Sequence, residues 1–336
     1  ADQLNHIPLK ILLKEGNDLP VHLFSLNLQA ARLSISKSAF HPAATLLRSG
    51  INLLIELASV RKDVSLWSGE NYTLALDLYT LLSETCYTIG EHEEAKDAAA
   101  TVLLNAKSNG DKYRSQLCLI EVATNGNDRD YTQGIELCTK FLRAYNVHIP
   151  AKPTQLGVIL ERRRLNKSLP TGRLEDLLHI PDAKDKTSIS VSAFLAKLSN
   201  FFALTGQRDL LAFTALLNFR HACKSGFTMY TTLSMAAYAL YKRMIGDHKK
   251  AFTRGDLAMD LMKAHGVEST IIYARNILIV HSSCYALYKP LHDSLEPSLE
   301  AYRSGIAFGD VEVGLCSATN YGYGYLFVGL PLSHLE

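Results

Sequence analysis

The feature that most constrains this chain is a helix pair that occurs twice around the same glycine turn. Residues 79–102 and 235–258 align on Gly90 and Gly246. Each glycine follows an isoleucine (Ile89, Ile245) and precedes a histidine two positions on (His92, His248). Small residues then recur at matching places, Ala95 and Ala99 in one copy, Ala251 and Gly255 in the other. Glycine supplies the positive φ that ends a helix, and so short a turn sends the second helix back antiparallel to the first. The small residues are expected to let the second helix approach its partner closely. Apolar residues at three-to-four spacing place further helices at about 19–34, 38–58, 72–89, 91–108, 111–125, 130–145, 187–205, 208–225, 230–245, 248–265, 268–288, 291–309 and 311–328. No period-two run rich in β-branched residues falls between turn signals, so no sheet is expected.

This pattern resembles the tetratricopeptide repeat, with Ala95, Ala99 and Val102, and Ala251, Gly255 and Ala258, at its second-helix positions. Weaker copies include Phe40, Ala43, Leu47 and Gly50, then Tyr131, Gly134, Cys138 and Phe141, and then Leu291, Ser294, Ser298 and Ala301. The family's tryptophan and closing proline are absent, so the repeats are degenerate. The expected fold is all-α: a right-handed α-solenoid of about seven tetratricopeptide-like helix pairs. Prolines 150, 153, 170 and 181 interrupt the rhythm. They divide the chain into an N-terminal half (1–146), a connecting segment (147–186) and a C-terminal half (187–336). Within the connection a basic helix is expected at 153–167, a helical turn near 173–179 and an exposed stretch at 181–187. Residues 311–329 read as the first helix of a further repeat whose partner would begin near Ser333. The chain is therefore expected to be a segment of a longer protein, with an apolar face at that end.

Apolar residues make up 47% and charged residues 20% of the 336, enough to bury a continuous core. The net charge of +2 is scattered and lacks the basic footprint of a nucleic-acid binder. No run of about 18 apolar residues marks a membrane span. The six cysteines are far apart, with no CxxC pair, and read as reduced thiols of a cytoplasmic protein. No zinc spacing, P-loop or nucleophile elbow occurs. An enzyme is therefore not expected, and no cofactor or metal is implied.

The whole chain also resembles the helical region that follows the AAA-type signal-transduction ATPase in large multidomain signalling proteins. Those proteins combine kinase-like, ATPase, sensor, histidine-kinase or cyclase domains. The resembling stretches run in order: residues 22–31, 38–44 and 50–54, then Trp67 before Tyr72, Leu74, Leu76 and Leu78, then residues 145–150, ending in Pro150, and 174–181, ending in Pro181. The resemblance implies a regulatory or interaction scaffold that holds a protein partner or neighbouring domains, and carries over no catalytic residue. A groove that senses a small metabolite and relays the signal is the second reading. Candidate interaction residues are the basic run Arg162, Arg163, Arg164 and Lys167, and the tyrosines Tyr238, Tyr241, Tyr285, Tyr321 and Tyr325. Tyrosines on successive first helices are expected to supply a binding face.

Overall fold

A computed structural model describes residues 19–60, 66–69, 71–125 and 130–331. The described residues form fourteen α-helices: α1 (Leu19–Ser36), α2 (Phe40–Val60), α3 (Asn71–Thr88), α4 (His92–Asn105), α5 (Asn109–Asn125), α6 (Tyr131–Ala144), α7 (Gln155–Ser168), α8 (Lys186–Leu204), α9 (Arg208–Ser225), α10 (Met229–Met244), α11 (His248–Ala264), α12 (Ile272–Ile279), α13 (Leu295–Phe308) and α14 (Val311–Val328). The partner helix expected near Ser333 lies outside them. The chain divides into two compact units, Ala1–Gln133 and Gly134–Glu336.

In the first unit α1 packs on α2, α2 on α3, α3 on α4 and α4 on α5, while α3 also touches α1 and α5. Each first helix of a pair thus meets the first helix of the next, the arrangement of a helical repeat. Gly90, at φ 84°, ends the α3 turn, and Glu91 N–H closes it on Cys86 C=O at 2.8 Å. Gly50 of α2 lies where a Cβ would meet Leu78 of α3 at 3.2 Å and Asn27 of α1 at 3.3 Å, so small size at this register serves both neighbours. Leu47, Leu54, Leu57 and Leu78 are fully buried in the core between them. Across the same helices Arg48 reaches Glu94 (2.9 Å) and Glu91, and Arg114 reaches Glu84 (2.7 Å).

The second unit repeats the pattern with α8/α9, α10/α11 and α13/α14, and α10 lies against both α8 and α12. Gly255 of α11 corrects the expectation for small residues. A Cβ there would meet Cys284 at 3.1 Å and Tyr285 at 3.3 Å, so its size admits the segment after α12 rather than its own partner α10. The turn residues 174–179 and α7 pack on α9, the turn also on α11, so the proline-containing connection is part of this unit's core.

Two local features depart from plain helix pairing. After α12 the helix widens by one residue: Tyr285 N–H donates to Val280 C=O at 3.0 Å, a single π turn over Val280–Cys284. Residues 181–183 are exposed for the most part, as expected, yet they pair with the chain after α9. Phe227 N–H donates to Pro181 C=O (2.8 Å), and Ala183 N–H donates to Phe227 C=O (2.7 Å). Gly226, at φ 103°, permits this approach, because a Cβ would sit 2.6 Å from Ala183 Cα.

A seam of small polar residues runs through the middle of the second unit. Ser192 bonds Thr228, Ser199 bonds Thr214 (2.9 Å), Asn218 donates to Ser234 (2.7 Å) and Asn276 donates to Thr232 (2.9 Å). All are buried, and pairing them offsets the cost of taking polar atoms out of water. Helices α2 and α8 have the length and apolarity of a membrane span. Many of their apolar residues are core here, Leu47, Leu54 and Leu57 in α2 and Phe194, Leu195 and Leu198 in α8, while Ile55, Val60 and Leu204 are exposed.

Candidate functional site

Helix α7 carries the densest run of positive charge, and its two faces differ. It begins after Pro153 with Thr154 as its cap, the side chain accepting from Gly157 N–H at 3.2 Å. Val158, Glu161 and Leu165 face inward at helical spacing, and Leu165 joins the core shared with α9. Glu161 stands where that stripe would place an apolar residue, and only 1% of its side chain is exposed. Its carboxylate accepts from Arg220 Nε of α9 and lies 3.4 Å from Arg164 Nη1. Arg162 tucks Nη1 away from solvent without a partner.

The outward face of α7 is apolar at its N-terminal end and cationic at its C-terminal end. Leu156, Ile159 and Leu160 are 63%, 50% and 42% exposed. Arg163, Arg164 and Lys167 are exposed one and two turns further on. The helix has no exposed carboxylate, because Glu161 is its only acid and is buried. Three large aliphatic side chains on one solvated helix face form a patch of the kind that marks interaction sites.

Beside α9, on the same unit, lies a cleft of about 270 Å³. Val191 and Leu195 of α8 and Leu217 of α9 form its floor, and Asn146, Val147 and His148 cross one side. Arg220, His221 and Lys224 of α9 complete the lining. Asn146 holds the crossing segment with a left-handed backbone (φ 59°), and Val147 N–H ties it to Leu142 C=O at 3.0 Å. His221 Nε2 lies 3.1 Å from Ser188 C=O, which can only accept, so Nε2 carries the proton. Burial pushes the His221 pKa down, which keeps the ring neutral.

The tyrosines fall in two places: Tyr238, Tyr241 and Tyr285 share one core cluster, and Tyr321 and Tyr325 lie on α14. Tyr238 of α10 is buried, stacked on half-buried Tyr241 at 5.7 Å, with Lys242 Nζ 5.1 Å from both rings. Tyr285, also buried, donates to Asp256 at 2.7 Å and lies under Lys289 Nζ, 3.6 Å from its ring centroid. Tyr325 of α14 is buried against half-buried Tyr321 (5.8 Å) and donates to Pro331 C=O at 3.0 Å. None of these tyrosines lines the cleft, and none lies on α7.

Two other clusters have the residue types of a reactive centre. Cys86, Glu91 and Glu94 bring their donor atoms within 4.8 Å of one another. The Arg48 guanidinium bonds all three, so it stands where a cation would. The Cys86 thiol is pushed up to about 12, by burial first, which disfavours the thiolate a metal needs. His265 Nδ1 meets Asp182 at 2.8 Å, and its ring stacks on Phe227 at 3.6 Å. Its Nε2 is buried and has no hydrogen-bond partner among the described residues. All six cysteines are free; four are buried, Cys223 is half-buried and Cys316 is exposed. Compared with known proteins, the chain matches no family model and no curated protein.

Proposed function

We propose that this chain is a non-catalytic helical-repeat module, an α-solenoid of tetratricopeptide-like pairs, that docks an acidic, amphipathic segment of a protein partner on α7. The observation that carries this reading is the face formed by Leu156, Ile159, Leu160, Arg163 and Lys167. An aliphatic patch flanked by cations suits a helix that presents leucines and carboxylates at i, i+3, i+4 and i+7. The aliphatic residues supply burial, and the arginines supply on-rate and register. The setting is that of the multidomain ATPase–kinase signalling proteins the sequence resembles, in which such a module couples neighbouring domains. The reading frame on both sides of this chain tests that setting: a P-loop ATPase upstream and a kinase or cyclase downstream support it, and unrelated neighbours remove it.

Photocrosslinking tests the docking surface. A benzophenone amino acid is placed at Ile159, and at Leu104 of α4 as an exposed apolar control (86% exposed). The reading expects crosslinks to an acidic segment from position 159 and not from 104. It also expects Leu156→Asp with Ile159→Asp to lower that segment's affinity at least tenfold, with an unchanged melting temperature. Equal crosslinking from both positions, or affinity unaffected by the double substitution, refutes it.

A further inference from the structure

We infer that the cleft between α8, α9 and residues 146–148 is a binding site for a small organic anion, a carboxylate or phosphate carried on an apolar body. The inference stands apart from the α7 docking surface and rests on different side chains. The floor is aliphatic and continuous with the core: Val191 and Leu195 are buried, and Leu217 is half-buried. Such a surface rewards an apolar ligand body in proportion to the area covered. The rim is cationic. Lys224 is exposed and makes no ion pair or hydrogen bond with any described residue, and neither does His148. Arg220 commits Nε to Glu161, and its other nitrogens remain as donors.

Among the described residues, the two carboxylates nearest the rim are engaged, although the charge of Asp185 is felt at His221. Glu161 is buried and already bonded, and Asp185 caps α8 by accepting from Ser188 N–H at 2.8 Å. Neutral His221 adds a polar wall without adding charge, so the anion falls to Lys224 and Arg220. The volume of about 270 Å³ lies just below the usual ligand-pocket range of ~300–1,000 Å³, which limits the guest to a single ring or a short chain. A few convergent polar groups over an apolar floor are the composition of small-molecule sites generally.

Calorimetric titration of the full chain with benzoate and phenyl phosphate, with benzamide as the neutral analogue, tests this inference. The expected result is saturable binding of at least one anion and none of benzamide. Lys224→Met should weaken the anion at least tenfold, since a hydrogen bond to a charged group is worth about that factor. Lys249→Met on α11, equally exposed, should leave it unchanged. Val147→Trp, which fills the cleft from its loop side, should abolish binding. Melting curves establish that each variant is folded. Arg220→Met is a poor probe, because it strands Glu161 in the core. If neither anion saturates, if benzamide binds as well, or if Lys224→Met and Lys249→Met behave alike, the assignment is wrong. Crosslinking at Ile159 uses no ligand and Lys224 lies off α7, so either proposal can fail while the other stands.

Discussion

Glu161→Ala should be among the most destabilising single changes in the second unit. The wild-type carboxylate is 1% exposed, and its strongest partner, Arg220, keeps 23% of its side chain in solvent. Removing one member of a buried ion pair costs ~3–5 kcal/mol, because the survivor is left charged and uncompensated. Arg220 can still reach water, which places the expected loss at the lower end, about 3 kcal/mol. Glu161→Gln keeps the shape and one acceptor and should lose about 1–2 kcal/mol. The informative variant is the double substitution Glu161→Leu with Arg220→Met. It removes both charges, so it should cost less than Glu161→Ala alone despite changing more atoms. Urea unfolding followed by far-ultraviolet circular dichroism reads all of these. Fluorescence does not suffice, because the sole tryptophan, Trp67, lies in the first unit. A Glu161→Ala loss below about 0.5 kcal/mol, or a double variant less stable than either single one, would refute the reasoning that the pair is a buried, coupled contact.

Two further perturbations have clear signs. Gly226→Ala combines a positive φ with a Cβ 2.6 Å from Ala183 Cα, so it should cost more than about 2 kcal/mol and separate the 181–183 segment from Phe227, read as faster amide exchange at Ala183 and Phe227. His281 is pushed down to about 4, by burial first and then by Lys289, against the opposing charge of Asp293. It is neutral in the fold at pH 7, so its contribution is full above its ordinary 6.5 and is lost as pH falls from there towards 4. Between pH 7 and 5 the wild type should lose about 2 kcal/mol more than His281→Phe, and equal slopes of stability with pH would show that the ring is not held neutral.

The helices were legible because their signals are local. Apolar period placed the elements, and the paired turns at Gly90 and Gly246 fixed where one helix hands over to the next. The inward stripe of α7 was also in the string, since Val158, Leu165 and Leu169 keep helical spacing. That spacing puts Glu161 on the buried side, a place the surrounding arginines disguise. The cleft had no such trace. Its lining comes from residues 146–148, 191–195 and 217–224, three separate stretches that only the packing of α8 on α9 brings together. Nor could spacing sort the tyrosines. A helix touched by neighbours on several sides buries an aromatic ring as readily at Tyr238 as it half-exposes one at Tyr241. The approach of Gly226 to Ala183 depends on backbone geometry between segments more than forty residues apart, and no pattern within either one announces it.

The π turn after α12 fixes the length of the chain at that point. One residue more or less rotates everything downstream on a helix by about 100°. Rewinding Val280–Cys284 into an ordinary helix without losing a residue would swing Tyr285 away from Asp256 and Lys289, and Cys284 away from Gly255. The extra residue is thus a counting device. The π turn takes it up locally, so the phase in which this segment meets α11 is kept only when the bulge and the residue are retained or lost together.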